Sequence, residues 1–216
     1  MKKLFIVAVL GLLCTSAFAQ TLQGTKAVSG SFSVGMYANN QRSNNMAPSD
    51  YSHRFLRIEP SIGYFLKDNL EAGASLGFET NRTKSVQDGG FSDFTEDSRT
   101  RGYSFSPYLK KYFSLTDKFA LSARVEAGVD MRKTKTEFSS DYTVSTESDT
   151  KGYFAGISPG LTFFPTEKIG ISTSFGSLGY SNSTTESGSF KSTSGFFGLN
   201  LSSSTLSFGF SYHFSR

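Results

Sequence analysis

Ile58-Glu59-Pro60-Ser61-Ile62-Gly63-Tyr64-Phe65, Phe105-Ser106-Pro107-Tyr108-Leu109 and Ile157-Ser158-Pro159-Gly160-Leu161-Thr162-Phe163-Phe164 are three versions of one phrase. Each runs into a short polar turn: Lys67-Asp68-Asn69, Thr116-Asp117-Lys118 and Thr166-Glu167-Lys168. A fresh alternating apolar stretch follows each turn. The prolines lie 47 and 52 residues apart, a period that marks one supersecondary unit used several times. The unit is an antiparallel hairpin with a tight turn at one end and a long connection at the other.

Outward from this phrase, apolar residues keep one parity within each stretch. Leu56, Ile58, Ile62 and Tyr64 share it, as do Ala72, Ala74, Leu76 and Phe78, and Leu121, Val125 and Val129. Ile157, Leu161 and Phe163 repeat the pattern, and Leu206, Phe208, Phe210, Tyr212 and Phe214 close the chain. The opposite parity carries Ser29, Arg57, Glu59, Glu71, Glu79, Ser122, Arg124 and Glu126, with many glycines. Strict alternation means one apolar and one polar face. The pattern predicts eight strands: 28–38, 54–66, 69–80, 102–114, 118–131, 152–164, 168–180 and a last segment from 195 to 214. In that segment Phe197 and Leu199 differ in parity from Leu206 onward. A bulge at Ser202-Ser203-Ser204 is expected, the alternative being a turn and an extra strand.

A soluble sandwich has the same period with its apolar face inward. Two features favour a membrane. The predicted strands exceed the common ~5–6 residues of soluble sheets and suit a tilted crossing. The connections alternate between long (39–52, 81–101, 132–151, 181–194) and short (67–69, 115–118, 165–168), the asymmetry of outer-membrane barrels, whose periplasmic turns are short. The fold class expected is all-β: a closed antiparallel transmembrane β-barrel, an eight-stranded up-and-down meander with both ends on the periplasmic side. Aromatics near the turns (Tyr64, Phe65, Tyr112, Phe113, Phe163, Phe164, Tyr212, Phe214) form one expected girdle, and Tyr37, Tyr103, Tyr153 and Tyr180 the other. Lys111 has lipid parity but lies close enough to the 115–118 turn to reach the headgroups. Prolines cannot donate to a ladder, so a bulge or local widening is expected beside Pro60, Pro107 and Pro159.

The N-terminus reads as a secretory signal peptide over 1–19: Lys2 and Lys3, an apolar run from Leu4 to Leu13, then Ala17-Phe18-Ala19. The barrel domain then spans 20–216. Cys14, the only cysteine, leaves with the signal, which excludes disulfides and thiolate metal sites from the mature chain. The formal charge of +4 has no basic cluster behind it, so no nucleic-acid partner is expected. No Gly-rich phosphate loop, zinc spacing or calcium loop is present, and no cofactor is expected.

The hairpin phrase ending in Gly-Tyr-Phe or Phe-Phe, the signal peptide, and the closing Ser207-Phe208-Gly209-Phe210-Ser211-Tyr212-His213-Phe214 resemble the small outer-membrane β-barrel domain family of Gram-negative bacteria, which includes OmpA-, OmpX- and OmpW-like barrels. The resemblance covers nearly all of the mature chain. It implies residence in the bacterial outer membrane, with lipid as partner. It also implies that the last strand, through Phe208, Phe210, Tyr212 and Phe214, is the signal read by the barrel-assembly machinery. Ser215-Arg216 trailing the last aromatic is a small departure.

Eight strands leave an interior just wide enough for side chains to fill. If Leu66 faces Leu70, Arg57 falls opposite Glu79 inside the barrel, and Glu59, Glu71, Arg124 and Glu126 extend a structural charge network. The function expected is non-enzymatic: envelope structure, adhesion or surface interaction through long outside loops whose partner is unknown. A narrow porin-like conduit for small or hydrophobic solutes is the alternative. A lipid A-modifying hydrolase is the remote one, since His213-Phe214-Ser215 offers His and Ser but places His213 at lumen parity near the wrong leaflet.

Overall fold

The structure is a computed structural model that describes residues 21–43, 46–88, 93–140, 142–200 and 207–214. The expected signal peptide over 1–19 and the bulge expected at Ser202-Ser203-Ser204 lie outside the described residues. Among the described residues ten strands are present: β1 (Lys26–Ser43), β2 (Met46–Lys67), β3 (Leu70–Asp88), β4 (Asp93–Ser114), β5 (Phe119–Ser139), β6 (Thr143–Phe163), β7 (Ile169–Ser174), β8 (Ser177–Ser187), β9 (Phe190–Asn200) and β10 (Ser207–Phe214). All neighbours are antiparallel. β1 to β7 and β10 form a ring of eight, closed by the β1–β10 ladder from Lys26↔Phe214 to Phe32↔Phe208. β8 continues the line of β7 along β6, and β9 pairs with β8. Among the described residues, no ladder joins β9 to β1.

One rung can be followed round the wall. From Leu161 on β6 it crosses Thr173, Phe208, Phe32, Ile58, Phe78, Tyr103 and Met131, and returns to β6 at Lys151. The circuit is displaced by ten residues, from 161 to 151. With eight strands, that stagger tilts each strand by about 40° from the barrel axis. The ten residue steps from Tyr153 to Phe163, and likewise from Tyr103 to Phe113, then rise ~25 Å, the height of an outer-membrane apolar band. Within that band the apolar parity faces outward: Val34 is 64%, Ile62 66% and Leu76 61% exposed. A soluble sandwich would bury them.

The turn end is built by specific side chains. In the two-residue turn between β2 and β3, Asn69 adopts φ 62°, a left-handed conformation that Asn tolerates better than most residues. Thr21 donates to the Asn69 side-chain oxygen at 2.5 Å, which ties the N-terminal segment to this turn. Lys67, not Leu66, faces Leu70, because a bulge intervenes between Phe65 and Lys67. The pairing of Arg57 with Glu79 still follows, since the ladder regains its register at Phe65↔Glu71. In the other two turns Thr116 and Thr166 accept from the backbone N–H groups of Lys118 and Phe119 (3.3 and 3.1 Å) and of Lys168 and Ile169 (3.3 and 3.2 Å). Lys111 donates to the Asp68 carbonyl at 3.4 Å, a route for its charge out of the apolar band.

Three sequence expectations need correction. Among the described residues, most of the stretches 39–52, 81–101, 132–151 and 181–194 is strand and not irregular loop. The ladders continue as far as Ser43↔Met46, Asp88↔Asp93, Ser139↔Thr143 and Ser187↔Phe190, so that strands β1 to β6 are 18 to 22 residues long. A change from apolar to polar side chains removes the lipid face but leaves the backbone free to pair. The strand expected over 168–180 is broken: Gly176 has φ 80°, and three steps on β6, Ile157 to Gly160, oppose four on its partner, Leu178 to Ser174. That is the bulge expected beside Pro159. Pro60 and Pro107 act differently. The β2–β3 pairing skips from Ile58↔Phe78 to Ser61↔Ser75, and the β4–β5 pairing from Phe105↔Val129 to Tyr108↔Glu126, with no change of register. Each proline directs its missing donor toward the next strand and omits one ladder contact.

Outside the band, Arg82 and Arg99 grip the Asp97 carboxylate at 2.6 and 2.9 Å. Hydrogen bonds from Arg82 and then Arg99 hold its carboxyl well below the usual carboxylate range. A depressed folded-state pKa gives stability that is present above the unfolded value of about 3.9 and lost only as pH falls through the folded one. The protection factors of the β3–β4 ribbon amides, with the intrinsic pH dependence of exchange divided out, are therefore expected to stay constant from neutral pH down to about 4 and to fall only in stronger acid, whereas Asp97→Asn shows lower protection at neutral pH. At the turn, Asn69→Gly is expected to cost about 1 kcal/mol for the lost Thr21 bond, and Asn69→Val about 1–2 kcal/mol more for left-handed strain. Urea unfolding in detergent micelles measures both.

Candidate functional site in the barrel lumen

Inward parity on a small ring brings side chains from most strands to one axis. At the turn end the lumen is stoppered by rings. Phe65 and His213 are fully buried, and Phe164 and Tyr112 are 1% and 2% exposed. Phe65 lies 5.8 Å from Tyr112 and 5.8 Å from His213, and Phe164 lies 5.7 Å from His213. Tyr112 is thus a correction: it was expected in the lipid girdle, but even parity on β4 turns it inward. Of the other girdle residues, Tyr64, Phe113, Phe163, Tyr212 and Phe214 face outward. Phe163 stacks on Phe119 at 4.8 Å, and Tyr212 meets Phe214 edge-on at 4.8 Å. Of the last-strand aromatics, Phe208, Phe210 and Phe214 are each about half exposed on the outer wall and Tyr212 rather less.

Directly above the stopper sits Glu71, 2% exposed. It accepts hydrogen bonds from the Tyr108 hydroxyl at 2.6 Å and from the Tyr112 hydroxyl at 2.9 Å. Two facing glycines make room for this arrangement. Gly63 and Gly73 are paired across β2 and β3; a Cβ at Gly63 would overlap the Glu71 carboxyl and one at Gly73 the Tyr108 ring. The Arg124 guanidinium stacks 4.1 Å over the Tyr108 ring, and so links the aromatic layer to the charges above it.

Arg124 is the hub of that next layer. It donates to Glu126 at 3.0 Å, to Ser75 at 2.6 Å and to Glu59 at 3.2 Å. Glu59 also accepts from Arg57 at 3.0 Å. Arg57, Glu59, Arg124 and Glu126 therefore form one continuous group. Glu71 stands apart from it, bonded to tyrosines. Glu79 stands apart too: it is in register with Arg57, yet its ion pair is with Arg132 at 3.1 Å, and Arg132 also reaches Asp130 at 2.9 Å. Arg57 leans down its own strand to Glu59, leaving Glu79 to the cation two strands away. Polar cavities of about 280 and 220 Å³ lie in the lumen above the stopper, the second between Arg57, Glu79, Glu126 and Arg132.

Sequence reasoning missed Tyr108 and Arg132, and Phe65 and Phe164, grouped with the turn-side girdle, are like Tyr112 buried in the lumen and not on the lipid face. The signal was available: each has the parity of the polar face, and a large ring at that parity has to fill the lumen. His213 has it too. Its Nε2 lies 3.0 Å from the Ser211 hydroxyl, and the surrounding rings separate it from the outer wall on which lipid would sit.

Several solved structures match over most of the chain. OprG of Pseudomonas aeruginosa is 11% identical, with 92% of this chain and 100% of that one covered and a TM-score of 0.48. The N-terminal barrel domain of Pseudomonas aeruginosa OprF is 17% identical (89% and 98% covered, TM-score 0.38), and Ail, the attachment invasion locus protein of Yersinia pestis, 14% (89% and 100%, TM-score 0.36). No curated protein matches the sequence. The family described as "Outer membrane protein beta-barrel domain" matches over residues 5–214. With apolar side chains outward, a ring of eight strands and that match across nearly its whole length, the chain belongs to the outer-membrane protein β-barrel domain family and resides in the bacterial outer membrane.

Proposed function

We propose that this protein is a closed, non-enzymatic barrel whose work is done outside the lumen: it anchors four β-ribbons at the cell surface for structural or adhesive contact. The ring stopper of Phe65, Tyr112, Phe164 and His213 carries this reading. A transport route along the axis has to pass four packed rings, then the Glu71 layer, then the Arg124 hub. None of these can leave cheaply, because each buried polar group there depends on another. The outward ribbons are the part of the molecule with surface to spare. The aromatic β10 suits recognition by the barrel-assembly machinery.

One observation favours a conduit instead: among the described residues, β1 above Phe32 has no ladder to β9. That would admit a solute sideways through the wall and not along the axis. The same experiment weighs both. In planar bilayers under molar potassium chloride, the wild-type barrel is expected to give no conductance steps, and replacing Phe65 and Phe164 together by Ala is expected to produce them. Wild-type steps that scale with salt would overturn the closed-lumen reading. Uptake of a small apolar solute into vesicles carrying the wild-type barrel, with no ion current, would support the lateral route.

The tyrosine–carboxylate layer gives a stability test of the same stopper. Glu71→Ala strands two buried hydroxyls and is expected to cost about 3 kcal/mol, whereas Glu71→Gln keeps an acceptor and is expected to cost about half of that. Guanidinium unfolding in detergent micelles distinguishes the two.

A further inference from the structure

Just outside the apolar band, the outer wall changes character on one side only. Arg54 on β2, Arg82 on β3, Arg101 on β4, Lys133 on β5 and Lys151 on β6 all have outward parity. In the ladders, Arg54 faces Arg82, Arg82 faces Arg99, Arg99 faces Lys135, and Arg101 faces Lys133. These are like charges directly opposite one another, which is unfavourable across a strand pair. With the strands tilted, each step across the sheet climbs about 3 Å. Arg54, Arg82, Arg101, Lys133 and Lys151 therefore fall within about 5 Å of one height, immediately above Tyr103 and Tyr153.

Outward carboxylates on these strands lie further out. Asp97 engages Arg82 and Arg99, and Glu137 engages Lys135 at 2.9 Å. Asp149 reaches Lys133 only at 3.6 Å. Among the described residues, Arg54, Arg101 and Lys151 have no carboxylate within ion-pair distance. A concavity of about 510 Å³ opens on this wall between Arg82, Arg99, Arg101, Lys133 and Lys135, with Glu147 and Asp149 on its β6 side. Below it the same strands are hollowed again: Ala72, Ala127, Ala155 and Pro107 leave an apolar groove of about 660 Å³ beside Tyr180 and Phe197. At the height of the cations the other side of the ring presents Ala38, Asn182 and Gly195, all uncharged.

The geometry points to a lipid-binding site on the outer wall of β2 to β6, where the belt of Arg54, Arg101, Lys133 and Lys151 takes the phosphate of a glycolipid headgroup in the outer leaflet and the groove beneath takes an acyl chain. Three features of that ligand are required separately by the wall: negative charge to relieve facing cations, a headgroup at the level of the tyrosine girdle, and hydrocarbon directly below. Arg101 and Lys133, adjacent and weakly countered, are the centre of the site.

The test uses the folded barrel in phosphatidylcholine nanodiscs containing a few per cent of bis-phosphorylated lipid A, with retained lipid counted by native mass spectrometry. Wild type is expected to hold the lipid, and Arg101→Gln with Lys133→Gln to hold it at least about tenfold less tightly. Dephosphorylated lipid A is expected to bind wild type no better than that variant binds the phosphorylated form. Lys118→Gln with Lys168→Gln, at the turn end, is expected to match wild type. Heat-modifiable gel mobility verifies that each variant is folded. Equal retention by the Arg101/Lys133 variant, equal retention of the dephosphorylated lipid, or an equal loss in the turn-end variant would each overturn the site. A water-soluble phosphorylated glucosamine that displaces lipid A as well as lipid A itself does would also overturn it, because the groove would then contribute nothing.

Discussion

Everything in this molecule depends on the ladder between β1 and β10. In hydrocarbon an unpaired N–H or C=O costs several kcal/mol, so a sheet can cross a membrane only if its first and last strands find each other. Seven residue pairs, from Lys26↔Phe214 to Phe32↔Phe208, make that closure. Together with the β7–β10 ladder they fix the register of the whole ring, since the other ladders of the ring join strands consecutive in sequence. The displacement of ten residues round the circuit follows from these two seams. Strand tilt, wall height and lumen width then follow from eight strands and that displacement.

Lumen width decides the chemistry inside. A ring this narrow is mostly filled by its side chains, with polar cavities of about 280 and 220 Å³ left between them, so most inward residues satisfy one another. Rings fill the turn end, where the glycines of β2 and β3 let Tyr108 and Glu71 lie against the wall. Above them, where the strands carry Arg and Glu, charges are shared around the Arg124 hub. Replacing such a network by apolar groups of similar shape need not cost stability. Its value here is geometric: Glu71 aims two tyrosines, and the Tyr108 ring in turn carries Arg124.

Much of this was legible from parity. The alternation in Leu56 to Leu66 and in Ala72 to Phe78 identified which face meets lipid, and the three hairpin phrases gave the turns. What parity could not show was how far the strands extend. From Met131 to Lys133 the outward residues pass from apolar to charged within one step, and polar composition reads as loop although the ladder continues to Ser139. Nor could it show that the break at Gly176 switches parity in β7 and β8 together. Leu178 and Tyr180 lie opposite Ile157 and Ala155 on the lipid face, whereas Ile171 had held that face one turn below. In the site, sequence grouped the six charged residues by parity alone. It could not tell that the Arg57 side chain would follow its own strand to Glu59, because a register fixes backbone neighbours and leaves a long guanidinium free to choose among three strands.

The two ends of the barrel face different problems, and the residues divide accordingly. The turn end meets a leaflet and a compartment with no covering sugar, and its strands stop within a few residues of the apolar band; rings seal it and threonines tie the turns. The outer end leaves the band with its strands intact, so its exposed edges and facing cations need some counterweight. Asp97 and Glu137 supply it high on the ribbons. At the level of the membrane surface no carboxylate of β2 to β5 does so, and the like-charged pair Arg101↔Lys133 persists in register. A wall that only had to remain soluble would gain by interleaving signs there, as it does one rung further out. Separating the signs by height makes sense only if something negative occupies the lower level, and the membrane surface is what lies at that level.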